Sequence, residues 1–342
     1  MTTQVDPDFY IDMDESPRTS QRMKIRKRDK IQKLLRPIKP SVEVQQMIHQ
    51  NDSQKSFQFT YKAARFEEGW LLDSLGYFYE QHWITDVLRK VKVGKEASLY
   101  LCLGGAAVPE KLVAAKIYRP TKLRSLKNDQ LYRLGRDVLD EDGKSIVDLG
   151  MLKAHKKRST YGEQIRHQSW IAYEAKALET LHCVEADVPQ VFEMDANGIL
   201  MSYIGDEQQG AATLNTVMLE TEEAPSLFER ILYNIELMLA NGIVHGDLSA
   251  YNILYWDGKI TLIDFPQVVS PVSNPLAYRI FKRDVQRVCD YFSTQGVKST
   301  PNLLADDLWH KYGYKMVPDV HPKFLDEGNS RDRKMWEEQK SR

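Results

Sequence analysis

Short runs in which apolar and polar residues alternate dominate the front of the chain. The runs "VLRKVKVG" (87–94) and "ASLYLCLG" (97–104) are separated by a short polar break, which predicts a β-hairpin. A third run, "KLVAAKIYR" (111–119), predicts another strand. The stretch "VPQVFEMDANGILMSYIG" contains Asn197 and Gly198 between two apolar runs, and this Asn-Gly pair favours a second hairpin.

Longer segments with an apolar residue every three or four positions predict helices at 162–184, 226–242 and 278–296. Between the last two, "NILYW" and "ITLIDF" flank an Asp-Gly pair, which predicts a third hairpin. The inward faces of the last two helices are expected to carry Phe228, Ile231, Ile235 and Met238, and Ile280, Val285, Val288 and Phe292.

The order of these elements is a strand-rich front with one helix and then a helix-rich back. This order predicts an α+β fold of two lobes with a cleft between them. The aromatic-rich segment 67–91 predicts one or two helices packed on the main domain. The predicted divisions are a polar lead at 1–55, a helical extension at 56–90, a front lobe at 91–204 with a long charged insert at 120–161, a rear lobe at 205–325 and a charged tail at 326–342.

Charge is unevenly distributed, although the 342 residues carry a formal net charge of only -1. This balance argues against a globally basic nucleic-acid binder. Residues 18–39, however, carry ten bases and one acid. Such a block is most often a solvated arm, and a contact with RNA or with an acidic partner is the alternative.

The three cysteines, Cys102, Cys183 and Cys289, lie far apart and form no pairing motif. This spacing favours a reducing compartment and predicts neither a disulfide framework nor a zinc site. No run of about 18 apolar residues occurs, and the acidic N-terminal residues do not resemble a signal peptide. We therefore expect a cytoplasmic protein without a membrane-spanning helix.

The stretch "GIVHGDLSAYNILYWDGKITLIDF" (242–265) places three oxygen-bearing side chains between apolar runs. Asn252 and Asp264 lie near the ends of the predicted hairpin, where their oxygens suit Mg²⁺ or Mn²⁺ better than zinc. Asp247, in the loop before it, is placed to accept a proton from a hydroxyl. A metal ion together with a base is what phosphoryl transfer requires.

Several motifs in this region resemble those of protein kinases. "HGDLSAYN" resembles the catalytic loop H-x-D-x-x-x-x-N, and "IDF" resembles the metal-binding D-F-G motif with Pro266 in place of the glycine. "VAAKIY" resembles the strand that carries the phosphate-pairing lysine, here Lys116. Together with "VGKEASLY", "LMSYIG" and "IDFPQ", these elements resemble the RIO family of atypical serine protein kinases over residues 91–296.

The resemblance implies a two-lobed protein-kinase-like fold of the RIO type that binds ATP and Mg²⁺, with Mn²⁺ as an alternative ion. It implies that Asp247 is the catalytic base or the phosphoacceptor carboxylate, and that Asn252 and Asp264 hold the metal. Lys116 would contact the ATP phosphates, oriented by Glu174. The other implied nucleotide contacts are a phosphate loop at Gly94, Lys95 and Ser98, an adenine-binding hinge from Met201 through Tyr203 to Ile204, and two apolar walls, Ala114 and Ile263.

Some of these residues also have simpler interpretations. Asp247 and Asn252 are compatible with a turn and cap pair. Lys116 taken alone is compatible with a solvated strand lysine, Lys95 with an exposed residue, and Ser98 with a small strand residue. A further residue, Asp284, resembles the buried aspartate that braces the kinase catalytic loop, which is a structural role.

Three functions are compatible with the sequence. The first is a RIO-type ATP-dependent serine/threonine protein kinase or ATPase that acts on a protein or on itself; the resemblance implies a switch in maturation of the small ribosomal subunit. The second is a small-molecule phosphotransferase of the aminoglycoside or choline kinase type, for which the segment 206–225 leaves little room for an acceptor pocket. The third is an ATP-gated protein that binds RNA or a particle through residues 18–39.

Overall fold

The computed structural model describes residues 57–119, 132, 134–140, 143–156, 159–316, 325 and 328–340. The predicted polar lead with its basic segment lies outside these residues, as do parts of the charged insert and of the tail. Among the described helices, none combines the length and the apolar character needed to cross a membrane.

A five-stranded antiparallel sheet, in the order β1-β2-β3-β5-β4, forms the front lobe. Its strands are β1 (Ile84–Val93), β2 (Ala97–Gly104), β3 (Leu112–Tyr118), β4 (Val191–Asp195) and β5 (Gly198–Ser202). The first predicted hairpin is confirmed as β1 and β2. The predicted third strand is β3, which lies at the centre of the sheet between β2 and β5. The strand that carries Lys116 is therefore hydrogen-bonded to a neighbouring strand on each side.

The second predicted hairpin is confirmed, but its turn differs. The turn residues are Ala196 and Asn197, and Gly198 is already the first residue of β5. Gly198 pairs with Asp195 across the hairpin and with Ile117 on the other side. A Cβ at this position would lie 2.7 Å from the Cδ1 atom of Ile117, so the glycine serves close packing between strands and not the turn.

Helix α1 (Arg65–Glu80) packs on the front sheet and contributes Leu71, Leu75 and Phe78 to the core. The helical prediction for 67–91 is correct for its first part and wrong for its second part, because β1 begins at residue 84. Pairing with β2 overrides the helical pattern at 84–86, and the strand predicted from residue 87 onward is confirmed. The predicted boundary between residues 90 and 91 falls inside β1.

The charged insert contains ordered structure. Helix α2 (Leu149–Lys156) lies within it and packs against α3 (Thr160–Cys183). Arg136 of the insert donates hydrogen bonds to the carbonyl oxygens of Pro266 and Val268, both at 3.0 Å. The insert therefore contacts the segment that follows the I-D-F motif.

Helices and a small three-stranded sheet form the rear lobe. The elements are β6 (Ala212–Thr213), α4 (Glu223–Ala240), β7 (Ile253–Trp256), β8 (Lys259–Leu262), α5 (Ala277–Thr294) and α6 (Pro301–Lys311), and a further helix, α7 (Ser330–Lys340), forms in the predicted charged tail. The apolar residues predicted to face inward on α4 and α5 are all buried. The third predicted hairpin is confirmed as β7 and β8, and its turn residues Asp257 and Gly258 have φ values of 50° and 72°. This pair of positive φ angles is the reason that Asp-Gly favours such a turn.

Candidate functional site

An ion-pair cluster forms around Lys116 of β3. Its Nζ lies 2.5 Å from Oε1 of Glu174 on α3 and 2.7 Å from Oδ1 of Asp264, which follows β8. The amide of Phe265 also donates to Glu174 Oε1, at 3.3 Å. Three of the predicted site residues, from a strand, a helix and a loop, are thus brought together by the fold.

Opposite charges and burial determine the ionisation of this cluster. Burial alone lowers the pKa of Lys116, but the carboxylates of Asp264 and Glu174 outweigh it and hold that pKa above its ordinary value. Burial raises the pKa of Asp264, but the ammonium group of Lys116 outweighs it and holds that pKa below its ordinary value. At Glu174, which is 1% exposed, burial dominates and raises the pKa despite Lys116. Lys116 and Asp264 are therefore held in their charged forms.

Tyr118 completes the cluster and was not singled out by the motifs. Its hydroxyl donates to Oε2 of Glu174, and its ring is fully buried. Both carboxylate oxygens of Glu174 are thus engaged, one by Lys116 and one by Tyr118. Because side chains two residues apart on a strand share a face, the spacing of Lys116 and Tyr118 on β3 is the signal that could have identified this residue.

Replacing Tyr118 by phenylalanine should lower the free energy of unfolding by about 1–3 kcal/mol, because a buried carboxylate oxygen loses its hydrogen-bond donor. We also expect weaker ATP binding, since Glu174 orients Lys116. Thermal unfolding and calorimetric titration with ATP measure the two effects. The matched control is Tyr291→Phe, which removes a hydroxyl that donates to Leu214 O at 2.9 Å. If both variants bind ATP equally well, Tyr118 does not support the site.

The loop before β7 holds Asp247 and Asn252 against each other. Nδ2 of Asn252 donates to the backbone oxygen of Asp247 at 2.8 Å and to its Oδ2 at 3.2 Å. His245 anchors the same loop: its Nδ1 accepts from the Asp247 amide at 3.2 Å, and its Nε2 lies 3.1 Å from Ile263 O. Since Nδ1 accepts, Nε2 carries the proton and donates to Ile263. Burial lowers the pKa of His245, in keeping with this neutral form.

Two backbone positions in this region require positive φ angles. Gly246 has φ +86°, and a Cβ there would lie 2.2 Å from the carbonyl oxygen of Gln267. Asp264 has φ 70°, which is uncommon for a residue with a side chain. The close approach to Gln267 explains why the "HGD" motif has a glycine at position 246. The positive φ of Asp264 turns the chain after β8, where the carboxylate of Asp264 contacts Lys116.

Asp284 on α5 braces the loop before β7, which is the structural role that its resemblance implied. Its Oδ2 accepts from the Gly246 amide at 2.8 Å, and its Oδ1 lies 3.0 Å from Nη2 of Arg283. Nη2 of Arg283 also donates to Gly246 O. Burial raises the pKa of Asp284 to about 6, with Arg283 opposing the increase.

The predicted cation ligands Asn252 and Asp264 are made neighbours by the β7–β8 hairpin. The amide of Ile263 donates to Asn252 O at 3.0 Å. Asp264 is the next residue in the chain after Ile263, so this hydrogen bond keeps Asp264 near Asn252. Because Nδ2 of Asn252 is engaged with Asp247, its Oδ1 is the atom that can face a cation. An amide oxygen and a carboxylate fit Mg²⁺, which prefers hard oxygen ligands and keeps several waters.

The predicted adenine contacts lie on β3, β5 and the segments that follow β5 and β8. Ala114 pairs with Met201 across β3 and β5, and both are buried. Tyr203 and Ile204 come directly after β5, and Ile263 directly after β8. Their contact with adenine stays a prediction.

The predicted phosphate loop lies at the β1–β2 hairpin. The Gly94 amide donates to Ala97 O at 2.8 Å and closes the turn. Ser98 is buried in β2 opposite Ile117, which favours its interpretation as a small strand residue. The roles of Gly94 and Lys95 in phosphate binding stay predictions.

The sequence matches a known family over most of this region. A model of the RIO domain matches residues 112–303. The chain is 30% identical over 214 residues to RIO-type serine/threonine-protein kinase Rio1 of Haloferax volcanii, covering 63% of this chain and 66% of that protein. It is 28% identical over 225 residues to serine/threonine-protein kinase RIO1 of Chaetomium thermophilum, covering 63% of this chain and 40% of that protein. The matched region therefore spans only part of each relative.

The fold is similar to that of a solved structure, the Rio2 kinase-ADP/Mg²⁺-phosphoaspartate complex from Chaetomium thermophilum. The TM-score is 0.53 at 21% identity, covering 91% of this chain and 89% of that chain. This likeness confirms the predicted two-lobed, kinase-like α+β fold. Since the RIO-domain match also spans more than half of the 342 residues, the chain belongs to the RIO family.

Proposed function

We propose that this chain is an ATP-dependent serine/threonine protein kinase of the RIO type, which transfers the γ-phosphoryl group to a protein, its own chain included, or to water. The observation that carries this proposal is the position of Lys116 between Glu174 and Asp264. A lysine paired with a helix glutamate and a metal-binding aspartate is the arrangement that protein kinases use on ATP phosphates. The two relatives named above are themselves described as serine/threonine-protein kinases.

Each polar residue of the site has a role in this transfer. Lys116 binds the phosphates. Asp247 accepts the proton of the acceptor hydroxyl while the hydroxyl oxygen forms a bond to the γ-phosphorus. The bond from this phosphorus to the bridging oxygen breaks, and ADP leaves with the electron pair. Asn252 and Asp264 would hold Mg²⁺, which supplies neutralisation of the phosphate charge when it is bound. Mn²⁺ fits the same oxygen donors.

Apart from water, the proposed acceptor is a protein and not a small organic molecule. Between the segment after β5 and helix α4, the chain forms only β6 and the short 3-10 turn Leu214–Thr216. These elements build no helical pocket for a small acceptor. The basic segment 18–39 extends the proposal to RNA or a ribosomal particle as the partner, since its charge suits phosphate groups.

Replacing Asp264 by asparagine should abolish the Mg²⁺-dependent gain in ATP affinity, because the cation loses its charged ligand. Calorimetric titration with ATP, with Mg²⁺ or with a chelator, measures this gain. The matched control is Asp290→Asn, an exposed residue of α5 that accepts from Gln286 at 2.6 Å. An Asp264→Asn variant that still binds ATP more tightly with Mg²⁺ would contradict the assigned ligand.

Incubation with [γ-³²P]ATP and Mg²⁺ tests the activity itself, alone and with total RNA or ribosomal particles. Label on the protein or release of phosphate is expected, and stimulation by the added particles would support the extension to that partner. Transfer to a small alcohol or amine, with neither protein label nor free phosphate, would favour a small-molecule phosphotransferase instead.

A further inference from the structure

The carboxylate of Asp247 is paired with an arginine from outside its own loop. Nη1 of Arg287, on α5, lies 2.7 Å from Oδ1 of Asp247. The other carboxylate oxygen accepts from Asn252 at 3.2 Å. Residues 242–252 contain no lysine or arginine, so the positive charge beside this carboxylate is supplied from another element.

One face of α5 holds both the backbone and the side chain of this loop. Asp284 and Arg287 are three residues apart, so they project from the same side of the helix. Asp284 binds the Gly246 amide at 2.8 Å, and Arg287 binds the Asp247 carboxylate. Since α5 is anchored in the core by Val285 and Val288, which are 1% exposed, the arginine extends from a rigid support.

Stability alone does not account for this ion pair. The side chains of Arg287 and Asp247 are 41% and 40% exposed, and pairs with this exposure contribute little to folding. Their charges matter more for an incoming anion. A carboxylate that serves as base close to a γ-phosphate repels it, and an adjacent guanidinium group offsets this repulsion.

We propose that Arg287 is a positioning residue for phosphoryl transfer, which orients the Asp247 carboxylate and neutralises it beside the γ-phosphate. This inference rests on the proposed function, because it assigns Asp247 as the base. Oδ1 is held by Arg287 and Oδ2 by Asn252, so the carboxylate has one preferred orientation. Its remaining lone pairs stay open to the acceptor hydroxyl.

Three variants of the full-length chain test this role: Arg287→Ala, Arg287→Lys and the control Lys282→Ala. The control removes a cation from the same helix. Nζ of Lys282 lies 3.6 Å from Oδ1 of Asp306, and the side chains of Lys282 and Asp306 are 37% and 38% exposed, similar to the Arg287 pair. We expect Arg287→Ala to reduce kcat about tenfold to hundredfold, as misplacement of a reacting group does, with little change in the KM for ATP. Arg287→Lys should restore part of the loss, and added guanidinium should raise the rate of Arg287→Ala but not that of Lys282→Ala.

The inference is overturned if Arg287→Ala and Lys282→Ala have the same kcat, or if neither lysine nor guanidinium restores activity. It is also overturned if the loss lies in the KM for ATP and not in kcat. Thermal unfolding of each variant separates these results from loss of the fold. A wild-type chain that binds ATP but transfers no phosphate would refute the proposed function, which is a different result from unequal variants of an active enzyme.

Discussion

Replacing Asp247 by asparagine should reduce phosphoryl transfer about 10²- to 10⁴-fold, the range typical for the loss of a general base. Asparagine has nearly the size of aspartate, but it does not take up the proton of an acceptor hydroxyl. ATP binding should change little, because Lys116 contacts both Glu174 and Asp264 without involving Asp247.

Single-turnover transfer from [γ-³²P]ATP measures this effect, with the ATP affinity determined separately. The matched control is Asp257→Asn, the same chemical change at the exposed β7–β8 turn, where φ is 50°. Asparagine also tolerates this conformation, so the control should keep full activity. Wild-type transfer by Asp247→Asn would exclude Asp247 as the base, and an equal loss of ATP affinity would assign it to binding instead.

Replacing Asp284 by alanine should lower the free energy of unfolding by about 3–5 kcal/mol, as expected when one partner of a buried ion pair is removed. Asp284 is 2% exposed and binds both Arg283 and the Gly246 amide. Alanine leaves the guanidinium group without its carboxylate and the amide without its acceptor. Urea unfolding followed by tryptophan fluorescence measures the loss, since the chain has six tryptophans.

The same variant should have a pH-dependent deficit. Burial raises the pKa of Asp284 from 3.8 to about 6, so the folded state binds this proton more tightly than the unfolded state. The stability linked to this proton is complete below the unfolded pKa and is lost as the pH rises through about 6. The deficit of Asp284→Ala should therefore be larger at pH 5 than at pH 8, by about 1 kcal/mol.

The control for both measurements is Asp290→Ala, an exposed residue of the same helix. Its removal should change stability by no more than about 0.5 kcal/mol at either pH. A deficit of Asp284→Ala that matches this control would show that Asp284 does not brace the loop before β7. Equal deficits at pH 5 and pH 8 would contradict the raised pKa.

Local motifs are sufficient to identify those candidate site residues that lie within one short segment of the chain. Asp247, Asn252 and Asp264 lie in a loop and a two-stranded hairpin, whose turn is specified by Asp257 and Gly258. The spacing along the chain therefore translates directly into proximity. Their oxygen atoms also motivate the proposed chemistry, because hard oxygen ligands suit a metal ion and a carboxylate suits proton transfer.

Other parts of the site depend on partners that are distant in the sequence. Tyr118 contributes because α3 presents Glu174 to it, and Arg287 contributes because α5 packs against the loop before β7. The spacing on β3 places Tyr118 on the same face as Lys116, but no local pattern reveals which distant residue Tyr118 or Arg287 contacts. Strand β1 shows the same limit for the fold, since its first residues, 84–86, lie in the segment predicted to be helical and adopt a strand through pairing with β2.

Periodicity, turn residues and motif spacing thus specify the helices and hairpins, the α+β class and the oxygen-bearing residues of the cleft. These features arise from interactions over a few residues, which local chemistry controls. The assembled cluster is different: Lys116 meets Asp264 across 148 positions of the chain, and Asp284 acquires its raised pKa only on burial. Proximity and desolvation of this kind exist only after the core has packed, so the tertiary structure alone decides them.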